Sequence, residues 1–88
     1  MQLSKQKRDK IAEQILSHLY HSYPKMFFTS QVAQEIARDE EFIKSLLLEL
    51  KAKDLIISIK KNPDGLPYSR RIRWRLSNQA YDAYKASA

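Results

Sequence analysis

The sequence predicts a mostly helical α+β domain: three helices form the body, a long-looped β-hairpin projects from it, and a short helix closes the chain. Three observations carry that prediction. Apolar residues recur at helical spacing in successive stretches as far as Ala52, and after Lys53-Asp54 the spacing falls to two residues. Asn62-Pro63-Asp64-Gly65-Leu66-Pro67 then gathers two of the three prolines and the only glycine, which marks a hairpin loop. Finally, cation and apolar residue alternate through Arg70-Arg71-Ile72-Arg73-Trp74-Arg75-Leu76. Neighbouring side chains of a strand point to opposite faces, so Ile72, Trp74 and Leu76 are expected to face a core. Arg71, Arg73 and Arg75 then line the other side, about 6.6 Å apart.

The elements follow in order. Between Ser4 and about Ser22, Ile11, Ala12, Ile15, Leu16, Leu19 and Tyr23 make the stripe of a first amphipathic helix, which Pro24 ends. Met26-Phe27-Phe28 reads as a short extended piece leading to Thr29-Ser30, either of which can cap a second helix. In that helix Val32, Ala33, Ile36 and Ala37 form the expected buried side, with Gln31, Gln34 and Glu35 outward. Asp39 is expected to cap a third helix whose first turn carries Glu40 and Glu41, as the helix dipole favours. Projected at 100° per residue, Ile43, Leu46, Leu47 and Leu50 share one face of it. Glu41, Lys44, Ser45, Leu48 and Ala52 share the opposite one, where Leu48 is out of place. Leu55, Ile57 and Ile59 then face one way along a strand. Ser77 or Asn78 caps a last helix with Ala80, Tyr81 and Tyr84 on its apolar side.

A chain of 88 residues builds one core, so residues 1–88 are read as a single domain with a disordered basic N-terminal arm over residues 1–8. Cysteine is absent, which excludes disulfides, thiolate metal sites and thiol catalysis. No apolar run reaches the roughly 18 residues of a membrane span and no signal-peptide core is present, so a soluble, cytoplasmic protein is expected. The net charge is +6 and the isoelectric point about 9.7. It is unevenly spread. Lys5, Lys7, Arg8 and Lys10 stand against Asp9 near the start. Lys60, Lys61, Arg70, Arg71, Arg73 and Arg75 stand against Asp64 around the hairpin. Fixed guanidinium forks with so little counter-charge are most simply explained by a polyanionic ligand.

The order of elements, with Phe28-Thr29-Ser30-Gln31-Val32-Ala33 through Ile36-Ala37 and Leu47-Leu48-Glu49-Leu50-Lys51-Ala52-Lys53-Asp54-Leu55-Ile56, resembles the winged helix-turn-helix family from about residue 9 to residue 86. Leu76-Ser77 followed by Tyr81 is similar to the closing strand and last helix of its small regulators. The family often has glycine where this chain has Asp54, at a left-handed residue leaving the third helix, and aspartate tolerates that region. The resemblance implies a DNA-binding transcription regulator with its third helix in the major groove and its wing on the backbone or in the minor groove. By position it implies contacts from Lys44, Ser45 and Leu48 on the third helix and from Thr29 and Gln31 at the start of the second. The wing cations Lys60, Lys61, Arg70, Arg71, Arg73 and Arg75 complete the set.

Each feature also has a plainer explanation. Wing cations can serve only to block edge-to-edge pairing, though six of them exceed that need, and Arg75 can pair with Asp82. On the third helix Lys44 and Ser45 suit base edges, Glu41 a cytosine amino group and Leu48 a thymine methyl, or Leu48 packs on a second subunit. Tyr68 either stacks on a base or closes the hairpin. Trp74 and Phe27-Phe28 are read as core, and Tyr81 and Tyr84 as core lids or the seam of a homodimer. His18 and His21 lie one turn apart, yet with no cysteine and no third histidine they are read as a surface pair, so no metal or other cofactor is expected. No phosphate loop, activated nucleophile or inward carboxylate pair is present, and no enzyme is expected. Two rival functions remain: a protein-interaction module using Leu48 and the acidic third helix, and RNA or single-strand binding through the basic hairpin.

Overall fold

Residues 4–60 and 72–87 are described by the computed structural model, in the order α1 (Lys5–Ser22), β1 (Phe27–Phe28), α2 (Thr29–Ile36), α3 (Glu40–Ala52), β2 (Ile56–Ile59), β3 (Arg73–Leu76) and α4 (Asn78–Ser87). The hairpin loop, Lys61, Tyr68, Arg70 and Arg71 lie outside the described residues, as do residues 1–3. Ser4 starts α1 by accepting a hydrogen bond on its hydroxyl from the Lys7 N–H at 3.3 Å. Residues 5–8, expected to belong to a basic arm, are instead the first turn of this helix. They are held there by the cap and by Arg8, whose Nη2 lies 3.0 Å from Glu49 Oε2 on α3.

Helix α2 departs from expectation at both ends. It begins at Thr29, so neither Thr29 nor Ser30 is its cap. Phe28 takes that place and has no polar side chain. The Gln31 amide oxygen reaches back to accept the Phe28 N–H at 2.8 Å. At the far end Ala37 is exposed rather than buried, because it has already left the helix with φ 59°. The Arg38 N–H donates to Ala33 O at 3.0 Å, closing the helix end by the 6→1 bond that a left-handed residue allows. Asp54 does the same after α3, with φ 61° and Leu55 N–H donating to Leu50 O at 3.1 Å, so this left-handed turn is where the family resemblance placed it. Asp39 caps α3, its Oδ2 accepting from the Phe42 N–H at 3.1 Å.

The core lies between the helices and one face of the sheet. Ile43, Leu46, Leu47 and Leu50 from α3 meet Ile15, Leu16 and Leu19 from α1, Val32 and Ala33 from α2, and Ile56, Trp74 and Leu76 from the sheet. The three strands are antiparallel in the order β1-β3-β2. Phe27 pairs with Trp74, Ser58 with Trp74 and Ile56 with Leu76, so these share the core face. Phe28 and Ile59 pair with Arg73, and Ile57 with Arg75. Ile57 and Ile59 do share a face, but it is the arginine face, while Leu55 precedes the strand and packs against the core. The residue that β2 buries is Ile56, and Phe28 faces away from the core that Phe27 enters. Ser77, not Asn78, starts α4: its hydroxyl accepts the Ala80 N–H at 3.1 Å and donates to Asp54 O at 2.9 Å.

Candidate nucleic-acid interface

On α3 the burial of one stripe leaves its opposite face to solvent. Glu41 and Lys44 are exposed, Leu48 is 48% exposed, and Ser45 is half-buried. The Ser45 hydroxyl donates to the carbonyl of Phe42 at 2.6 Å, so toward a ligand it offers its oxygen as an acceptor. Helix α2 packs against α3 and carries Thr29 and Gln31 in its first turn. Both already have structural partners. Thr29 Oγ1 accepts the indole N–H of the fully buried Trp74 at 2.9 Å, and Gln31 closes the start of its own helix. A hydroxyl that accepts keeps its proton for another acceptor, and a glutamine that accepts keeps its NH₂.

The sheet carries the remaining described candidates. Lys60 is exposed at the end of β2, and Arg73 and Arg75 are half-buried on the face away from the core. Arg75 is turned to its own chain, though not to Asp82. Its Nη1 donates to Leu76 O at 2.8 Å and to Asn78 Oδ1 at 3.2 Å, and its guanidinium lies 5.7 Å from the centre of the Tyr23 ring. The Tyr23 hydroxyl donates to the same Asn78 oxygen. This node joins β3 to the end of α1 and the start of α4. Lys61, Arg70 and Arg71 lie outside the described residues.

Sequence reasoning missed the company these arginines keep. Phe28, Ile57 and Ile59 share their face, so the outer sheet surface mixes apolar and cationic groups. It also missed Arg8 as a structural residue: besides its ion pair with Glu49, Arg8 sits 5.4 Å over the Phe42 ring. The cue was there in part, since acidic residues on α3 need partners, but the approach of α1 to α3 is a tertiary fact.

The tyrosines form a ladder between α1 and α4. Tyr23 stacks on Tyr81 at 4.0 Å, and Tyr20 lies 5.4 Å from Tyr81 and 5.6 Å from Tyr84. Burial, and then the charge of Glu13, push the Tyr84 phenol above its ordinary value. His18 lies against Phe27 at 4.8 Å and His21 against Tyr20 at 5.3 Å. Among the described residues no group of three histidines or acids is placed to hold a metal ion, and no helix is long and apolar enough to cross a membrane.

Neither a protein-family model nor a curated protein sequence matches the chain. Solved structures do. A double mutant of Lactococcus lactis ZitR in apo form superposes with a TM-score of 0.70 at 20% identity, over 93% of this chain and 57% of that one. ZitR, a zinc-responsive MarR family member, also matches with a TM-score of 0.65 at 20% identity, over 97% of this chain and 51% of its own. The S. aureus MepR-DNA complex gives a TM-score of 0.67 at 24% identity, over 94% of this chain and 71% of MepR. The chain thus spans roughly half to seven-tenths of the length of these structures. With helix, short strand, two helices and an antiparallel hairpin closed by a last helix, the chain has the winged helix-turn-helix fold.

Proposed function

We propose that this chain is a DNA-binding transcription regulator, not an enzyme, that acts in the cytoplasm as a homodimer. The observation that carries the reading is the open outer face of α3, where Glu41, Lys44 and Leu48 stand exposed above a fully buried stripe in a winged fold. That the similar MepR was solved on DNA supports it. In this reading Lys44, Ser45 and Leu48 meet base edges, with Thr29 and Gln31 beside the backbone. Lys60, Lys61, Arg70, Arg71 and Arg73 neutralise phosphates and set orientation. The two copies address two half-sites related by a two-fold axis.

Titration of labelled duplex, with fluorescence anisotropy followed as a function of salt, tests this. If Arg71, Arg73 and two wing lysines each meet one phosphate, log affinity falls with log salt at a slope of about −3.6 per subunit. The Arg71→Ala/Arg73→Ala protein should lose most low-salt binding. Failure of the wild type to bind any duplex at low salt sinks the reading and favours a protein-interaction module. Preference for single strands over duplex favours the basic hairpin as a single-strand or RNA site.

A further inference from the structure

Among the side chains that α3 turns away from the core, Ser45 has its hydrogen-bonding sense fixed by the helix itself. It is half-buried, and its hydroxyl donates to the Phe42 carbonyl one turn back at 2.6 Å. Serine has a single O–H, so once that proton is committed the oxygen can only accept. Turning the proton elsewhere would cost the bond already made. The neighbours of Ser45 narrow the chemistry further. Glu41, one turn before it, is exposed and brings a second acceptor. Leu48, one turn after it, is 48% exposed and apolar. Residues three and four apart on a helix have Cβ atoms about 5–6 Å apart, so these three make one continuous strip. Lys44 supplies a donor, but it stands about 100° round the helix from Ser45. Helix α3 contains no arginine, asparagine or glutamine, the side chains that grip guanine or adenine by two bonds at once.

On the DNA-binding reading proposed above, we infer that this strip selects an A·T pair in the major groove. Ser45 accepts from the adenine N6 amino group, and Leu48 covers a thymine methyl. Adenine N6 and cytosine N4 are the amino donors on major-groove edges, whereas guanine N7 and O6 are acceptors. A guanine beneath Ser45 sets acceptor against acceptor, and the Glu41 carboxylate adds negative charge against it, so guanine is rejected. Cytosine supplies a donor but brings no methyl, and its partner is that guanine. An A·T pair carries both an amino group and a methyl on one edge, which a serine and a leucine one turn apart match. Lys44 is left for a flanking base. Discrimination rests on one hydrogen bond and one apolar contact, so it is modest at each position.

Enrichment of random duplexes by the intact protein, followed by base analogues in the enriched site, tests this. Expected is an A·T position at which purine lacking the 6-amino group weakens wild type about fivefold, while Ser45→Ala binds both duplexes alike. At that pair or the next, uracil in place of thymine should weaken wild type about threefold and leave Leu48→Ala unmoved. A merely damaged fold would weaken binding to every duplex equally. Circular dichroism checks that the variants fold, and if they do not, the analogue series on wild type decides. Duplex binding without an enriched A·T position overturns the assignment and leaves the DNA-binding reading standing. So does a wild type indifferent to the 6-amino group, or a sensitivity to it that Ser45→Ala retains. Absence of binding to any duplex at low salt overturns both.

Discussion

Thr29 shows how one small side chain serves two parts of the fold. Its hydroxyl is the acceptor for the buried indole of Trp74, 45 residues away, so the start of α2 is tied to the middle strand of the sheet. Thr29→Val keeps the shape and removes the acceptor, which leaves a buried donor unsatisfied. The expected loss is about 1–3 kcal/mol by denaturant unfolding. An unchanged stability would mean that water replaces the hydroxyl. The sequence suggested Thr29 as a cap or a DNA contact and could not suggest this role, since nothing local points to an indole so far along the chain. Trp74 itself was legible as core from the alternation of its strand, and it is fully buried.

Helices α2 and α3 both end on a left-handed residue that is not glycine. In an L-residue the left-handed region brings Cβ against the following carbonyl, and glycine is free of that contact. Ala37→Gly and Asp54→Gly are each expected to raise stability, by about 0.5–1 kcal/mol after allowance for the freer unfolded chain. Thermal unfolding of the two single variants measures this. A fall in stability at Asp54 would show that its carboxylate does more than occupy the turn. The amphipathic stripe of α3 was readable to the residue, because a 3.6-residue period needs no tertiary information. The ending of α2 was not, since Ala37 fits the helical stripe as well as it fits the turn.

In the whole molecule Arg75 of β3 is taken up by the fold: it holds Leu76 O, Asn78 and the Tyr23 ring, joining the sheet to the α1–α4 tyrosine ladder. If the proposed function holds, Arg73→Gln should reduce the salt slope of duplex binding by about 0.9 per subunit. Arg75→Gln should leave the slope as it is and lower stability by about 1 kcal/mol instead. Equal effects of the two on the slope would place both guanidiniums on phosphates. The tertiary frame also relocates Arg8: paired with Glu49 at a partly exposed site, it contributes at most about 1 kcal/mol but fixes where α1 begins on α3.

Helical stripes, the break at Asp54, the capping aspartate before α3 and the alternation around Trp74 were all present in the amino-acid order, because each depends on a local period or a local hydrogen bond. Cross-strand partners were not. The register between β2 and β3 depends on the path of the chain between Lys60 and Ile72, which no local rule specifies, and a shift of one residue moves every side chain to the other face. That is why Ile56 rather than Ile57 meets the core, and why apolar side chains stand among the arginines. Residue types and their spacing announced a basic hairpin on a helical body. Folding settled that the protein takes Arg75 for itself, since only close packing brings a carbonyl, an amide and a ring to one guanidinium.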